Sequence, residues 1–210
     1  MRLTSAEAIN TIHNCAVLYN KNLLGKNVLF VTHSNGSFDY FETKFLARNF
    51  KHFTGVVSAL ESTLFFRAAL NNKISSKDIN LSKDGVTELK LAVLPTLMNI
   101  HVVARMVGDY NYSKSLLITD KIAGTVTSAM GFVKDNNYYV PNTVIKEDMR
   151  NLIVKPQRRV AAIFLKAQSE KLYTTNTYVA KGFKIENGTA FELNGVNFKD
   201  LISDINLTPP

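Results

Sequence analysis

Lys26-Asn27-Val28-Leu29-Phe30-Val31-Thr32-His33-Ser34-Asn35-Gly36-Ser37-Phe38-Asp39-Tyr40-Phe41-Glu42-Thr43-Lys44-Phe45 reads as two strands around a tight reversal, and the fold is worked out from it. Val28 to Val31 form a compact apolar run, so residues 26–33 are expected as a strand. Asn35-Gly36 tolerates positive φ, which a two-residue hairpin turn requires, and residues 39–45 become the return strand. Upstream, Ala8, Ile9, Ile12, Ala16, Val17 and Tyr19 recur near helical spacing over residues 5–21. Thr4 and Glu7 have the separation of a capping box, which marks that helix's start.

Downstream of the hairpin, residues 55–70 read as a helix carrying Val56, Ala59, Leu60, Thr63, Leu64 and Ala68 on one side, followed by a polar connection over 71–84. Residues 86–106 form a second helical pattern that Pro95 should kink or divide and Gly108–Asn111 should end. From Ser113 the texture is β: 116–119, 125–134, and 138–140 behind an Asn136-Asn137 turn. Residues 144–152 fit a short helix or a strand end, 160–167 a strand or a helix, and 174–181 alternate as a strand does. Short strand-like pieces with Asn187-Gly188 and Asn194-Gly195 turns follow, then a Pro209-Pro210 tail expected to fray. Helices gathered ahead of strands indicate an α+β fold with helices on a mainly antiparallel sheet. Residues 1–181 are expected as one domain, with 182–210 as an appendage.

Hydrophobic content of 46% and charged content of 20% describe a globular chain, not a disordered one. The net charge of +8 favours a polyanionic partner, although a basic solvated surface is the common reading of such a number. The charge is uneven: between Lys134 and Lys181, nine cations face four carboxylates. Cys15 is the only cysteine, which rules out an intramolecular disulfide and a cysteine-rich zinc site. No apolar run approaches the ~18 residues that span a bilayer, and the N-terminus has no apolar signal core. The cytoplasm is the expected compartment, with delivery into a host or target cell by a dedicated machine left open. Phosphate-loop, dinucleotide, zinc-helix and nucleophile-elbow patterns do not occur.

Two segments concentrate reactive side chains: Asn49-Phe50-Lys51-His52-Phe53-Thr54-Gly55 and Tyr138-Tyr139-Val140-Pro141-Asn142-Thr143-Val144-Ile145-Lys146-Glu147-Asp148-Met149-Arg150. His52 titrates near neutrality and can serve as acid or base, or can simply satisfy a backbone group. Lys51 and Arg48 beside it could hold an anion, and a helix beginning at Gly55 would aim backbone N–H groups at a phosphate. Thr54 could orient that phosphate, though capping is the commoner role. Lys146 and Arg150 are four apart and would share a helix face, which is more often a solvated face than a site. Asp148 could pair with either. Asn142-Thr143 after Pro141 is good turn chemistry in its own right. If the run after Arg158-Arg159 is a strand, one of the two arginines faces any cleft. Tyr138, Tyr139, Tyr173 and Tyr178 could stack bases, or pack across strands. His101 reads as structural, His13 as a surface residue, and His33 as a turn neighbour with at most a minor part.

The two segments, in their order and distance, resemble the phage-associated barnase–EndoU–colicin–RelE-like nucleases, fourth subgroup, over roughly residues 28–181. The resemblance implies a metal-independent RNase fold carried by phages and mobile elements, with helices on a curved antiparallel sheet. Under that reading the candidate catalytic residues are His52, Lys146, Thr143 and Arg150, and the candidate substrate contacts are Lys51, Thr54, Tyr139, Asn142, Arg158 and Tyr178. It calls for no cofactor and no metal. RNA is the expected partner, a host or regulatory protein a second candidate, and no membrane is involved. The mechanism it suggests is attack by the RNA 2′-hydroxyl with His52 moving the proton, which requires His52 and residues 139–150 to meet in space. The alternative is a phage-encoded binding protein, such as a host-defence inhibitor, that uses a basic face without catalysis.

Overall fold

The computed structural model describes residues 3–34, 37–113, 117–183, 192–193, 196–197 and 200–202. It is α+β. Helix α1 (Ser5–Asn22) starts at Thr4, whose hydroxyl and the Glu7 carboxylate form the expected capping box. Strands β1 (Lys26–Ser34) and β2 (Ser37–Lys44) pair antiparallel from Asn27↔Lys44 to Ser34↔Ser37, as the opening stretch predicts. The Asn35-Gly36 turn lies outside the described residues, as do the Asn187-Gly188 and Asn194-Gly195 turns and the Pro209-Pro210 tail.

The segment after the hairpin departs from expectation. Helix α2 (Phe50–Thr54) ends at Gly55, which has φ of 67°. Only after an extended link, in which Val57 pairs with Asn80, does α3 (Ser62–Leu70) begin, capped by the Glu61 carboxylate. Gly55 therefore stops a helix where the sequence suggests a start. The left-handed backbone that glycine adopts without steric cost is a helix C-terminal signal. Helix α4 (Val86–Leu97) keeps Pro95 in its last turn, and α5 (Ile100–Val103) follows. Gly108 and Asp109 belong to β3 (Met106–Asp109) and do not form the expected break.

The strands β4 (Lys121–Gly124), β5 (Ala129–Asp135), β6 (Tyr138–Ile145), β7 (Arg158–Ala167) and β8 (Thr175–Val179) complete one sheet in the order β1-β2-β6-β5-β4-β3-β7-β8. The ambiguous 160–167 run is a strand, and residues 117–119 are irregular. Because β1 also pairs with β7 along its length, the first seven strands in that order close into a ring. Its weakest joint is β2 to β6, a single parallel pair Thr43↔Tyr139. Around that joint lie the Arg48–Asp135 ion pair at 2.9 Å and Lys44 over the Tyr138 ring at 3.3 Å. The inward row of Phe30, Phe41 and Phe132, with Phe45, fills the curve and joins the helix layer around Tyr19, Phe50, Phe53 and Phe66.

The opposite face carries two smaller apolar clusters. Leu29, Val31, Ala162, Phe164 and Tyr173 form one, against which Leu201 and Ile202 pack. Met106, Ile122, Ala129, Met149 and Ile153 form the other. The short strands β9 (Glu192–Leu193) and β10 (Val196–Asn197) pair with each other, and Tyr173 N donates to Leu201 O.

His101, in α5, has a buried Nδ1 without a hydrogen-bond partner among the described residues. Burial, and then the Lys26 charge, depress its pKa to about 4. The unfolded chain takes up this proton near the model-peptide value of ~6.5. Between those two values the unfolded state binds more protons, so stability present above the upper one is lost as pH falls towards the lower. His101→Gln is expected to flatten the decline of the urea midpoint between neutral and mildly acidic pH. An unchanged decline would assign the acid sensitivity to other groups.

Candidate active site

Strand alternation places the polar ends of several core-facing rows at one end of the ring. Thr32 continues the row of Phe30, and Asp39 the row of Phe41, with Thr32 and Asp39 paired across the hairpin. Asp109 continues the row of Val107, and Lys121 that of Ala123, with Asp109 and Lys121 paired across β3 and β4. Arg158 begins the row of Val160 on β7. These side chains lie at the end of β1 and β3 away from α1 and α5, and they line a small surface cleft. Two ion pairs occupy it: Arg158 Nη1 with Asp39 Oδ2, and Lys121 Nζ with Asp109 Oδ1 at 2.6 Å. Tyr139 borders it, its ring 5.8 Å from Lys121 Nζ and edge-on to Phe41. The cleft can hold an anion between a guanidinium and an ammonium, with carboxylates within reach to accept a proton.

The structure distributes the residues singled out in the sequence over several places. Arg158 lies in the cleft and Tyr139 at its edge. Arg159, the next residue along the strand, is exposed. His52 sits at the C-terminal turn of α2, where carbonyl groups gather, and so the expected ring of N–H donors from a helix start is not there. Lys90 Nζ donates to its carbonyl at 2.8 Å. Partial burial, then the Lys90 and Lys51 charges, hold the His52 pKa below its usual value. The Lys51 ammonium donates to Ser58 O at 2.7 Å and Leu60 O at 2.6 Å. Thr54 is fully buried and donates to Lys51 O at 2.8 Å.

Asn142 anchors backbone. Asn142 Nδ2 donates to Ile118 O, while its Oδ1 accepts from Thr119 Oγ1 at 3.2 Å. Thr143 is buried beside Gly131, where a Cβ would meet Thr119 Oγ1 at 2.5 Å. Lys146 and Arg150 do not share a helix face, because only the 3-10 turn Met149–Asn151 forms there. Arg150 Nε bonds Asp148 at 3.0 Å. Tyr178 lies under the Arg105 guanidinium, 4.1 Å from ring to carbon.

The expected meeting of the His52 segment with residues 139–150 occurs in part: α2 packs on β6, with Tyr139 and Val144 in the same core as Phe50 and Phe53. Phe50 and Phe53 of α2 join the core that includes Met130 and Val144, whereas Met149 packs with Ile122 and Ala129 on the other sheet face. Consecutive strand residues such as Ala129 and Met130 point to opposite faces, so the Met149 end of the segment packs on the face away from α2. Sequence reading missed Asp39, Asp109 and Lys121. Their signal was a charged residue in a strand, which becomes informative only once the pairing of the strands is known.

Among the described residues, no three His, Cys, Asp or Glu side chains cluster as metal ligands, and no helix is long and apolar enough to cross a membrane. Fold and cleft together define an α+β protein with a charged, strand-lined cleft. The protein-family model described as phage-Barnase-EndoU-ColicinE5/D-RelE like nuclease4 matches residues 11–182, and the chain belongs to that family. The match starts within α1, well before the residue-28 boundary read from the motifs, and runs past β8. No curated protein and no solved structure matches the chain.

Proposed function

We propose that the protein is an endoribonuclease whose site is the cleft between Arg158 and Lys121. The observation that carries this reading is the pairing of two cations with two carboxylates in one cleft, in a chain of a nuclease family. Arg158 would neutralise the non-bridging oxygens of the scissile phosphate, which gain charge in the transition state. Asp39 would accept the proton of the 2′-hydroxyl as its oxygen bonds to phosphorus. Lys121 would donate a proton to the 5′-oxygen as the phosphorus–oxygen bond breaks. The products are a 2′,3′-cyclic phosphate and a 5′-hydroxyl. Tyr139, at the edge, is placed to stack on a base.

Purified protein is expected to cut single-stranded RNA in excess EDTA and to leave DNA intact, since DNA lacks the nucleophile. RNA affinity should fall with rising salt as phosphate contacts release counterions. His52→Ala should retain cleavage, because His52 is held away from the cleft in this reading. A large loss in that variant, with unchanged melting temperature, would return the chemistry to His52.

A second reading has its own support: no histidine lines the cleft, and each cation is already in an ion pair. Such a site suits a protein that binds RNA or a host protein without cutting. Salt-sensitive RNA binding with no cyclic-phosphate product would favour it.

A further inference from the structure

The two ion pairs of the cleft are oriented in opposite senses. In the first, Arg158 is the outer partner, with its side chain 42% exposed against 27% for Asp39. In the second, the carboxylate is outermost: Asp109 is 65% exposed and Lys121 only 25%. Arg158 bonds Asp39 through Nη1 and has further N–H groups to offer an anion. Lys121 is the more buried partner of its pair, bonded to an exposed carboxylate. Asp120, next in sequence, accepts from Tyr112 Oη at 2.8 Å and from Lys134 N at 2.8 Å.

We infer that Asp109 is a built-in restraint on substrate binding, covering the Lys121 ammonium so that an incoming polynucleotide meets one available cation, Arg158, and engages Lys121 only by displacing Asp109. The inference rests on the reading of the cleft as an RNA site. A phosphate that takes Lys121 from Asp109 sheds a counterion, but the freed carboxylate gathers one. The exchange adds nothing to the salt dependence of binding. Without the carboxylate, Lys121 becomes a second counted contact, worth about 0.7 in the slope of log affinity against log salt for a single strand.

The test is fluorescence anisotropy with a 2′-O-methyl oligouridine, which cannot be cleaved through the 2′-oxygen, across a salt series. Asp109→Asn is expected to bind about two- to fivefold tighter at low salt, the range of one exposed ion pair. Its slope should be steeper by about 0.7. Glu88→Gln on α4, outside the cleft, controls for the change in net charge. Arg158→Gln should make the wild-type slope shallower, and Lys121→Gln should leave it nearly unchanged. This second comparison stands even if Asp109→Asn folds poorly. A slope in Asp109→Asn no steeper than in Glu88→Gln, or equal losses from Lys121→Gln and Arg158→Gln, would overturn the restraint while leaving the RNA site intact. Wild-type protein that binds no RNA at low salt would remove both.

Discussion

Replacing Arg158 with alanine is expected to slow RNA cleavage by about two to three orders of magnitude, the cost typical of removing one preorganised donor from a developing oxyanion. The arginine is carried at the start of β7 and points into the cleft beside Asp39. Arg159 is the comparison, since strand alternation turns it away and leaves it exposed. Arg159→Ala should change RNA affinity modestly and leave the cleavage rate of bound RNA near wild type. Arg158→Lys should recover only part of the rate, because an ammonium lacks the planar fork that holds two phosphate oxygens. The substitution also removes the Asp39 ion pair, so melting temperatures must be compared and the Asp39→Asn, Arg158→Ala double variant included. Cleavage by Arg158→Ala within a few-fold of wild type, in folded protein, would show that the cleft is not where phosphate is held.

Phe132→Ala is expected to destabilise the fold by about 3–5 kcal/mol, the cost of removing a buried aromatic ring from a core that cannot fully collapse. Phe132 is fully buried and lies 4.9 Å from the Phe41 ring, with Phe30 and Phe45 at 6.5 Å and 6.4 Å. It bridges β5 to the β1–β2 hairpin inside a ring whose β2–β6 joint is one residue pair. For a domain of this size, such a loss lowers the melting temperature by roughly 6–20 °C. The measurement is the urea midpoint and slope. A cost below about 1 kcal/mol would mean that the interior repacks, and that the closed ring does not depend on this aromatic contact. Loss of RNA binding should accompany the loss of stability, since Lys121 is paired with Phe132 across β4 and β5.

Local pattern reading recovered α1 with its capping box, the β1–β2 hairpin and the strands behind Asn136-Asn137, because in each case turn or cap chemistry agrees with side-chain periodicity. It failed at Gly55, where the apolar spacing of Val56, Leu60 and Leu64 mimics a helix face across a real helix break. Backbone φ at one glycine decided that matter, and periodicity carries no information about it. For the candidate site, Arg158 and Tyr139 were legible as a cation and an aromatic in a strand-rich, basic region. Lys51 and Thr54 are engaged with backbone, the ammonium with Ser58 O and Leu60 O of the link after α2 and the hydroxyl with Lys51 O, which nothing in the local sequence signals.

The sequence by itself determined the class of the protein: α+β, a single cysteine, a net positive charge and membership of a nuclease family whose motifs lie in order along the chain. These follow from composition, local propensity and residue order. Only the tertiary structure decided which charged side chains share a cleft. Thr32, Asp39, Asp109, Lys121 and Arg158 come from five strands, and their neighbourhood depends on strand order, register and the closure of β1 on β7. A shift of one residue in any of these pairings would turn a charge to the other face. Short-range pattern cannot encode that outcome, because hydrogen bonds and packing between distant segments select the register.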